Sequence, residues 1–253
     1  MFSLPFVVLL VIGLFLPQYV FSLTPLSSAS ASALNGIILL SDNPADFALS
    51  PLLGVSGFSA SWQRPFGLSG TDLLGLHSAF GKGIINYATG LVYLANQNYR
   101  WQDEYLALGV NLGGLKAGAT QHLIYEKIEK DSWFTWDNDF ALAAESGDYA
   151  TEIRYNNARS ADATLTLSAA SGLQKAASFC SAYTWKKGSR GSYSVASVFR
   201  VAEPLQLQCS WQSDPGRFGF GILVLVSRIK LNYAVQTHPE LNLTHSLDLG
   251  SAW

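Results

Sequence analysis

Apolar and polar residues trade places every second position along much of this chain. The clearest run is Leu205-Gln206-Leu207-Gln208-Cys209-Ser210-Trp211-Gln212, with Leu, Leu, Cys and Trp on one face and Gln, Gln, Ser and Gln on the other. A helix would scatter these residues around its circumference, whereas a strand separates them cleanly. Ala163, Leu165 and Leu167 alternate in the same way with Thr164, Thr166 and Ser168. Tyr149, Thr151, Ile153 and Tyr155 alternate with Glu152, Arg154 and Asn156, and Ile229, Leu231, Tyr233 and Val235 with Arg228, Lys230, Asn232 and Gln236. Leu241, Leu243, Leu247 and Leu249 alternate with Asn242, Thr244, Ser246 and Asp248, with His245 as the exception on the apolar face.

Turn signals separate these runs, among them Gly113-Gly114, Ser146-Gly147-Asp148, Glu203-Pro204 and Asp214-Pro215-Gly216. The pattern predicts strands at 54–63, 72–80, 84–94, 101–112, 115–127, 134–145, 148–157, 161–170, 173–186, 191–202, 204–212, 217–226, 228–237 and 242–253. That makes about fourteen, an even number of the kind bacterial barrels favour. Several expected strands exceed the roughly five or six residues usual in soluble proteins and match the roughly nine to eleven needed to cross a bilayer. The short connections suit an antiparallel up-and-down meander.

Composition points the same way. Hydrophobic residues make up 49% of the 253 and charged residues only 13%, against roughly 25% charged in an average soluble domain. Such a chain must either bury most of its surface or face something other than water. The net charge of -2 argues against a nucleic-acid partner, which normally calls for a basic patch. Seven Trp and eleven Tyr suit a membrane–water interface. After residue 33 no apolar stretch is long enough for a spanning helix; the best, 218–226, is far too short. A membrane-resident chain of this kind must therefore close into a barrel. The expected fold is an all-β transmembrane barrel at 54–253. A soluble exported β-sandwich or propeller is the competing architecture, and strand length and low charge stand against it.

The N-terminus reads as a secretory signal. Its apolar run, 4–16, is too short to span a membrane as a helix. Cleavage is expected after Ser22, or as late as Ala33 in the Ala31-Ser32-Ala33 context. Between signal and barrel, 23–53 is expected to fill the lumen as a plug, because a barrel of this size is wider than its side chains alone fill. An ordinary strand at 36–40 followed by a loop is the alternative. Cys180 and Cys209 fall two expected strands apart, roughly 9.6 Å laterally, which is more than a disulfide tolerates. Trp253 ends the last strand and resembles the insertion signal read by the barrel-assembly machinery.

The polar face should line the lumen, with Lys116, His122, Glu152, Arg154, Lys186, Arg200, Arg228, Lys230 and Asp248 as its charged or titratable members. Catalytic patterns are thin. No two of His77, His122, His238 and His245 have metal-ligand spacing, and no GxSxG elbow or phosphate loop occurs. A Ser–His pair involving His245 is the one enzymatic arrangement to consider. The expectation is a non-enzymatic protein without metal or cofactor.

Asp42-Asn43-Pro44-Ala45, with Ser50-Pro51 before the first strand, resembles the N-terminal hatch of FadL-like outer-membrane barrels and of the related PorV/PorQ proteins. Trp62-Gln63-Arg64-Pro65-Phe66-Gly67 fits the first strand and turn of that group, and His238-Pro239-Glu240-Leu241 with Thr244-His245 its penultimate turn. The resemblance implies fourteen strands, an internal hatch, and a bacterial outer membrane with its lipid as surroundings. FadL-like members pass small hydrophobic molecules, and there Gly219 and Gly221 would permit a kinked strand. PorV-like members instead serve type IX protein secretion. Loops shorter than is typical for either group set this chain apart from both.

Overall fold

The computed structural model describes residues 28–41, 43–48, 50, 52, 55–96, 99–158 and 163–252. The chain after residue 56 forms β1 (Gly57–Arg64), β2 (Leu73–Lys82), β3 (Ile85–Ala95), β4 (Tyr99–Leu112), β5 (Leu115–Ile128), β6 (Asp131–Ser146) and β7 (Tyr149–Asn156), followed by β8 (Thr164–Ser171), β9 (Ala177–Lys186), β10 (Ser192–Ala202), β11 (Leu205–Ser213), β12 (Gly216–Val226), β13 (Ile229–Gln236) and β14 (Thr244–Ala252). Each strand pairs antiparallel with its sequence neighbours, and β1 pairs with β14, closing a barrel of fourteen strands. Closure removes the unpaired edges that hydrocarbon does not tolerate.

The direction of the side chains identifies the surroundings. Leu76, Phe220 and Leu249 point outward and are 53–55% exposed, while Glu152, His77 and Asp248 point inward and are 3% exposed or less. In water this arrangement would be inside out; in a bilayer it is the low-energy one. Aromatic residues gather near both ends of the outer face. Phe80 stacks on Tyr87 at 5.2 Å near the β2–β3 turn. Trp185, Tyr193, Trp211 and Phe218 lie outside, near the opposite ends of their strands.

The two ends of the barrel differ. Five of the six connections at the end holding the strand array's first and last residues are two residues long, at 83–84, 113–114, 147–148, 203–204 and 227–228. Gly113 and Gly114 both take positive φ there, and a Cβ on Gly114 would lie 2.8 Å from the Glu145 carbonyl. At the opposite end, the loop end, the longest connections are 65–72, 157–163 and 237–243. Short turns on one side and longer loops on the other are the pattern of outer-membrane barrels.

Height also varies around the wall. β4 and β5 have 14 residues each and β6 has 16, whereas β7 and β8 have 8. β7 pairs with β6 only from Phe140 to Ser146, so the stretch 131–139 rises above it. The chain leaving β7 is tied to this rise: Asn157 N–H and Asn156 Nδ2 each donate to the Asp139 carboxylate, at 2.7 and 2.6 Å.

No strand forms at 36–40; among the described residues the first is β1. The segment before it carries α1 (Ala29–Ala33) and a 3₁₀ turn (Pro44–Ala48). Leu34 and Ile37 pack on Ala170, Ala182, Ala196 and Val198, the small inward residues of β8–β10. The signal segment 1–22 and Trp253 lie outside the described residues.

Candidate functional site in the lumen

The lumen holds the polar residues, and they are organised into two unlike walls. On β2–β6, cross-strand register places His77, Gly90, Tyr105, His122 and Asp137 side by side. Tyr105 hydroxyl and His77 Nδ1 are 3.1 Å apart, and His77 Nε2 lies 3.1 Å from Ser61 Oγ on β1. Gly90 lets the two rings meet, since a Cβ there would sit 2.5 Å from the Tyr105 ring and 2.7 Å from His77. His122 is held between two carboxylates, with Nδ1 3.0 Å from Asp103 and Nε2 3.5 Å from Asp139. All of these titratable groups are buried, and the 3₁₀ turn of the N-terminal segment packs over β1–β4 beside them. Toward the loop end the same wall turns apolar: Val92, Leu94, Trp101 and Ile124 form one inward cluster, with Leu73 and Tyr99 packed against it.

On β11–β14 the polar side chains turn instead to the N-terminal segment. Gln208 and Asn232 both donate to Ser30 Oγ, at 3.2 and 2.6 Å. Ser246 donates to Ser32 Oγ at 3.0 Å, as Gln63 of β1 does at 3.1 Å. Ser210 donates to the Ala33 carbonyl. Asp248 Oδ2 accepts from the Ala29 N–H at 2.6 Å and from Asn43 Nδ2 at 2.7 Å. Backbone approach is close here because β12 presents glycines: a Cβ on Gly219 would lie 2.2 Å from the Ala33 carbonyl oxygen, and one on Gly221 2.6 Å from the Ala33 methyl. β12 itself pairs without a register break on both sides, so these glycines serve packing and not a kink.

The hatch-like motif is used locally and at long range. Asn43 Oδ1 accepts from the Ala45 N–H at 3.0 Å, which closes the turn that Pro44 starts. Asp46, in the first turn of the 3₁₀ segment, accepts from the Ser28 N–H and from Ser41 Oγ. Ser50 donates to Glu152 Oε1 at 2.7 Å. Asp42 and Pro51 lie outside the described residues.

Of the residues expected to line the lumen, His122, Glu152, Arg154 and Asp248 are buried on the inner face, and Arg154 donates to the Gly36 carbonyl at 2.9 Å. Lys116 points inward near the two-residue turns and bonds Glu145 at 2.6 Å. Lys186 ends β9 at the loop end. Lys230 lines a small space with Asn43 and Asp248. Arg200 is exposed at the rim, where it donates to the carbonyls of Leu173 and Lys175. Arg228 lies in the β12–β13 turn and not on the inner face. Ser61, His77, Asp103, Tyr105, Asp137 and Asp139 are additional members that strand-by-strand reading did not reach. The Ser–His contact is Ser61–His77, sealed in the wall, while His245 faces outward and bonds the Tyr233 hydroxyl at 2.8 Å. Cys180 points inward and Cys209 outward, on strands separated by β10.

No protein-family model matches the chain, and no curated protein does. Among solved structures it is similar to mutant porins of Rhodopseudomonas blastica. A triple mutant is 8% identical with a TM-score of 0.47, covering 79% of this chain and 99% of the porin. Another mutant porin from this source is 8% identical with a TM-score of 0.49 and the same coverage. Likeness of that degree leaves function open; the fold rests on the barrel's own closed strand order.

Proposed function

We propose that this chain is a bacterial outer-membrane barrel that passes small hydrophobic molecules, with residues 23–53 as an internal hatch, in the manner of FadL-like barrels. The observation that carries the reading is the set of hydrogen bonds from β1, β11, β13 and β14 to Ser30, Ser32 and Ala33. Polar contacts of this kind exchange with water at little net cost, roughly 0.5–1.5 kcal/mol each, so on the β11–β14 side the segment suits displacement, while Leu34 and Ile37 anchor it by apolar packing on β8–β10. The apolar cluster of Leu73, Val92, Leu94, Trp101 and Ile124 supports a hydrophobic passenger entering from the loop end. On this reading Lys116, His122, Glu152, Arg154, Lys186, Arg200, Lys230 and Asp248 set the polarity of the conduit. Signal cleavage follows Ser22, because cleavage after Ala33 would remove Ser30 and Ser32 with all their bonds; the mass of the mature chain checks this.

A second reading has a specific observation in its favour. The same contacts tie the segment to both sides of the lumen, through Ser30 on β11 and β13 and through Ser50 on β7. That suits a closed, non-catalytic barrel of the PorV/PorQ kind, working with secretion-pathway proteins. Single-channel conductance and flux of a hydrophobic dye precursor into vesicles, with and without residues 23–53, separate the two. Passage that rises on deletion supports the hatch. Vesicles that stay tight in both cases overturn transport and leave the scaffold.

A further inference from the structure

The turn between β9 and β10, residues 187–191, differs in charge from every other connection at the loop end. It carries Lys187 and Arg190, and Lys186 ends the strand before it, with no acid in the stretch. The connections 65–72, 129–130, 157–163, 214–215 and 237–243 each contain an acid, and 96–98 contains no charge. Lys187 and Arg190 are exposed, and neither pairs with an acid among the described residues. Two unopposed cations therefore share one short turn.

Next to this turn the outward face is aromatic. Tyr183 lies directly across from Tyr193, and Trp211 across from Phe218. With Trp185, these outward side chains are 38–50% exposed. Gly191 joins the turn to the aromatic face, because the Tyr183 hydroxyl occupies the place a Cβ on Gly191 would take. Tyr and Trp hold their polar tips at the level of lipid headgroups, so these rings set that level beside Lys187 and Arg190. A basic cluster at a membrane surface attracts anionic headgroups. Two cations match a phosphate monoester, which carries nearly two charges near neutral pH, better than a singly charged diester.

We propose that the outer wall at β9–β10 binds a membrane lipid with a phosphate monoester headgroup, the phosphate held by Lys187 and Arg190 and the acyl chains lying against Tyr183, Trp185 and Tyr193. The site does not depend on whether the barrel conducts. Tryptophan fluorescence of the full mature chain in phosphatidylcholine vesicles tests it, with a rising share of dibrominated phosphatidic acid. Bromine quenches Trp185 and Trp211 when the lipid sits at the patch. Dibrominated phosphatidic acid should bind at least about fivefold more strongly than dibrominated phosphatidylcholine. Lys187→Ala with Arg190→Ala should bring the two lipids to within about twofold of each other. Lys127→Ala with Lys130→Ala removes the same charge elsewhere at the loop end and should leave the preference in place. Trp185→Phe with Trp211→Phe should abolish the preferential quenching. No preference in the parent chain overturns the site, as does a preference that survives Lys187→Ala with Arg190→Ala. Equal loss in the Lys127 and Lys130 variant overturns its location. Phosphatidylglycerol bound as strongly as phosphatidic acid overturns the monoester. Displacement of the lipid by millimolar inorganic phosphate assigns the turn to free phosphate and overturns the lipid.

Discussion

The two polar walls of the lumen hold similar side chains to different ends. On β2–β6 the buried groups answer one another across strands: His122 with Asp103 and Asp139, and Tyr105 with His77. On β11–β14 they answer the chain's own N-terminal segment: Gln208 and Asn232 with Ser30, Ser246 with Ser32, and Asp248 with Ala29 and Asn43. The first wall's side chains bond mainly across strands, although the 3₁₀ turn of the segment packs on β1–β4. The second has polar groups that would have to be rehydrated if the segment left. One inner surface thus carries both a cross-strand polar network and a face bonded to the N-terminal segment.

The comparison breaks most sharply at His122. His122→Ala leaves Asp103 and Asp139 buried without their shared partner, which should cost about 3–5 kcal/mol. Urea unfolding in vesicles should show that loss, while protease protection of residues 28–50 stays as in the parent chain. Segment release without loss of barrel stability would mean that the two walls do not divide the work this way.

Gly219→Val is the complementary change. Its Cβ would meet the Ala33 carbonyl at 2.2 Å, and overpacking of this kind costs about 1–3 kcal/mol. Here the expected sign is reversed: the segment becomes cleavable by added protease, and the barrel keeps its heat-modifiable band. Ser30→Ala is milder. It removes the acceptor shared by Gln208 and Asn232, for about 1–2 kcal/mol of segment docking, read as partial cleavage under the same protease conditions.

The smallest effect lies outside both walls. Arg64 bonds Asp72 at 2.8 and 3.0 Å and holds the Asp72 carboxyl below its ordinary value of 3.8. Because the folded value is lowered, the contribution is present above pH 3.8 and disappears as pH falls through the lowered value. Both side chains are about a third or more exposed, so solvent screening leaves little of this contribution. Asp72→Asn should flatten the acid limb of a stability–pH curve only slightly, and should leave segment protection untouched at every pH.

Much of the frame was legible because period two is a local property. The expected strands at 204–212 and 228–237 match β11 and β13 to within a residue. Less accurate was β6, expected at 134–145 and observed from Asp131 to Ser146. Its extra height rises above β7, where only β5 pairs with it as a strand, so nothing in its own alternation marks where the strand should begin. The titratable cluster was legible only in part. His122 sits on a clear polar face, but Asp103 and Tyr105 share theirs with Trp101 and Ala107, and His77 shares its face with Gly75 and Ala79. Where the inner face is itself apolar, alternation no longer distinguishes lumen from lipid. Gly219 and Gly221 suggested a kink, and the structure uses them to let Ala33 approach.

The sequence alone determined that about fourteen strands cross, which face of most of them meets lipid, and where most turns fall, since these follow from the pleat and from residues that tolerate positive φ. Tertiary structure alone decided which buried acid meets which histidine, which wall receives the N-terminal segment, and why Ala31-Ser32-Ala33 is small: α1 lies pressed between β11, β12, β13 and β14, where larger side chains have no room. Those outcomes depend on barrel closure, which brings Ser30 beside Asn232 across 202 residues of chain. Local alternation carries no information about contacts at that distance.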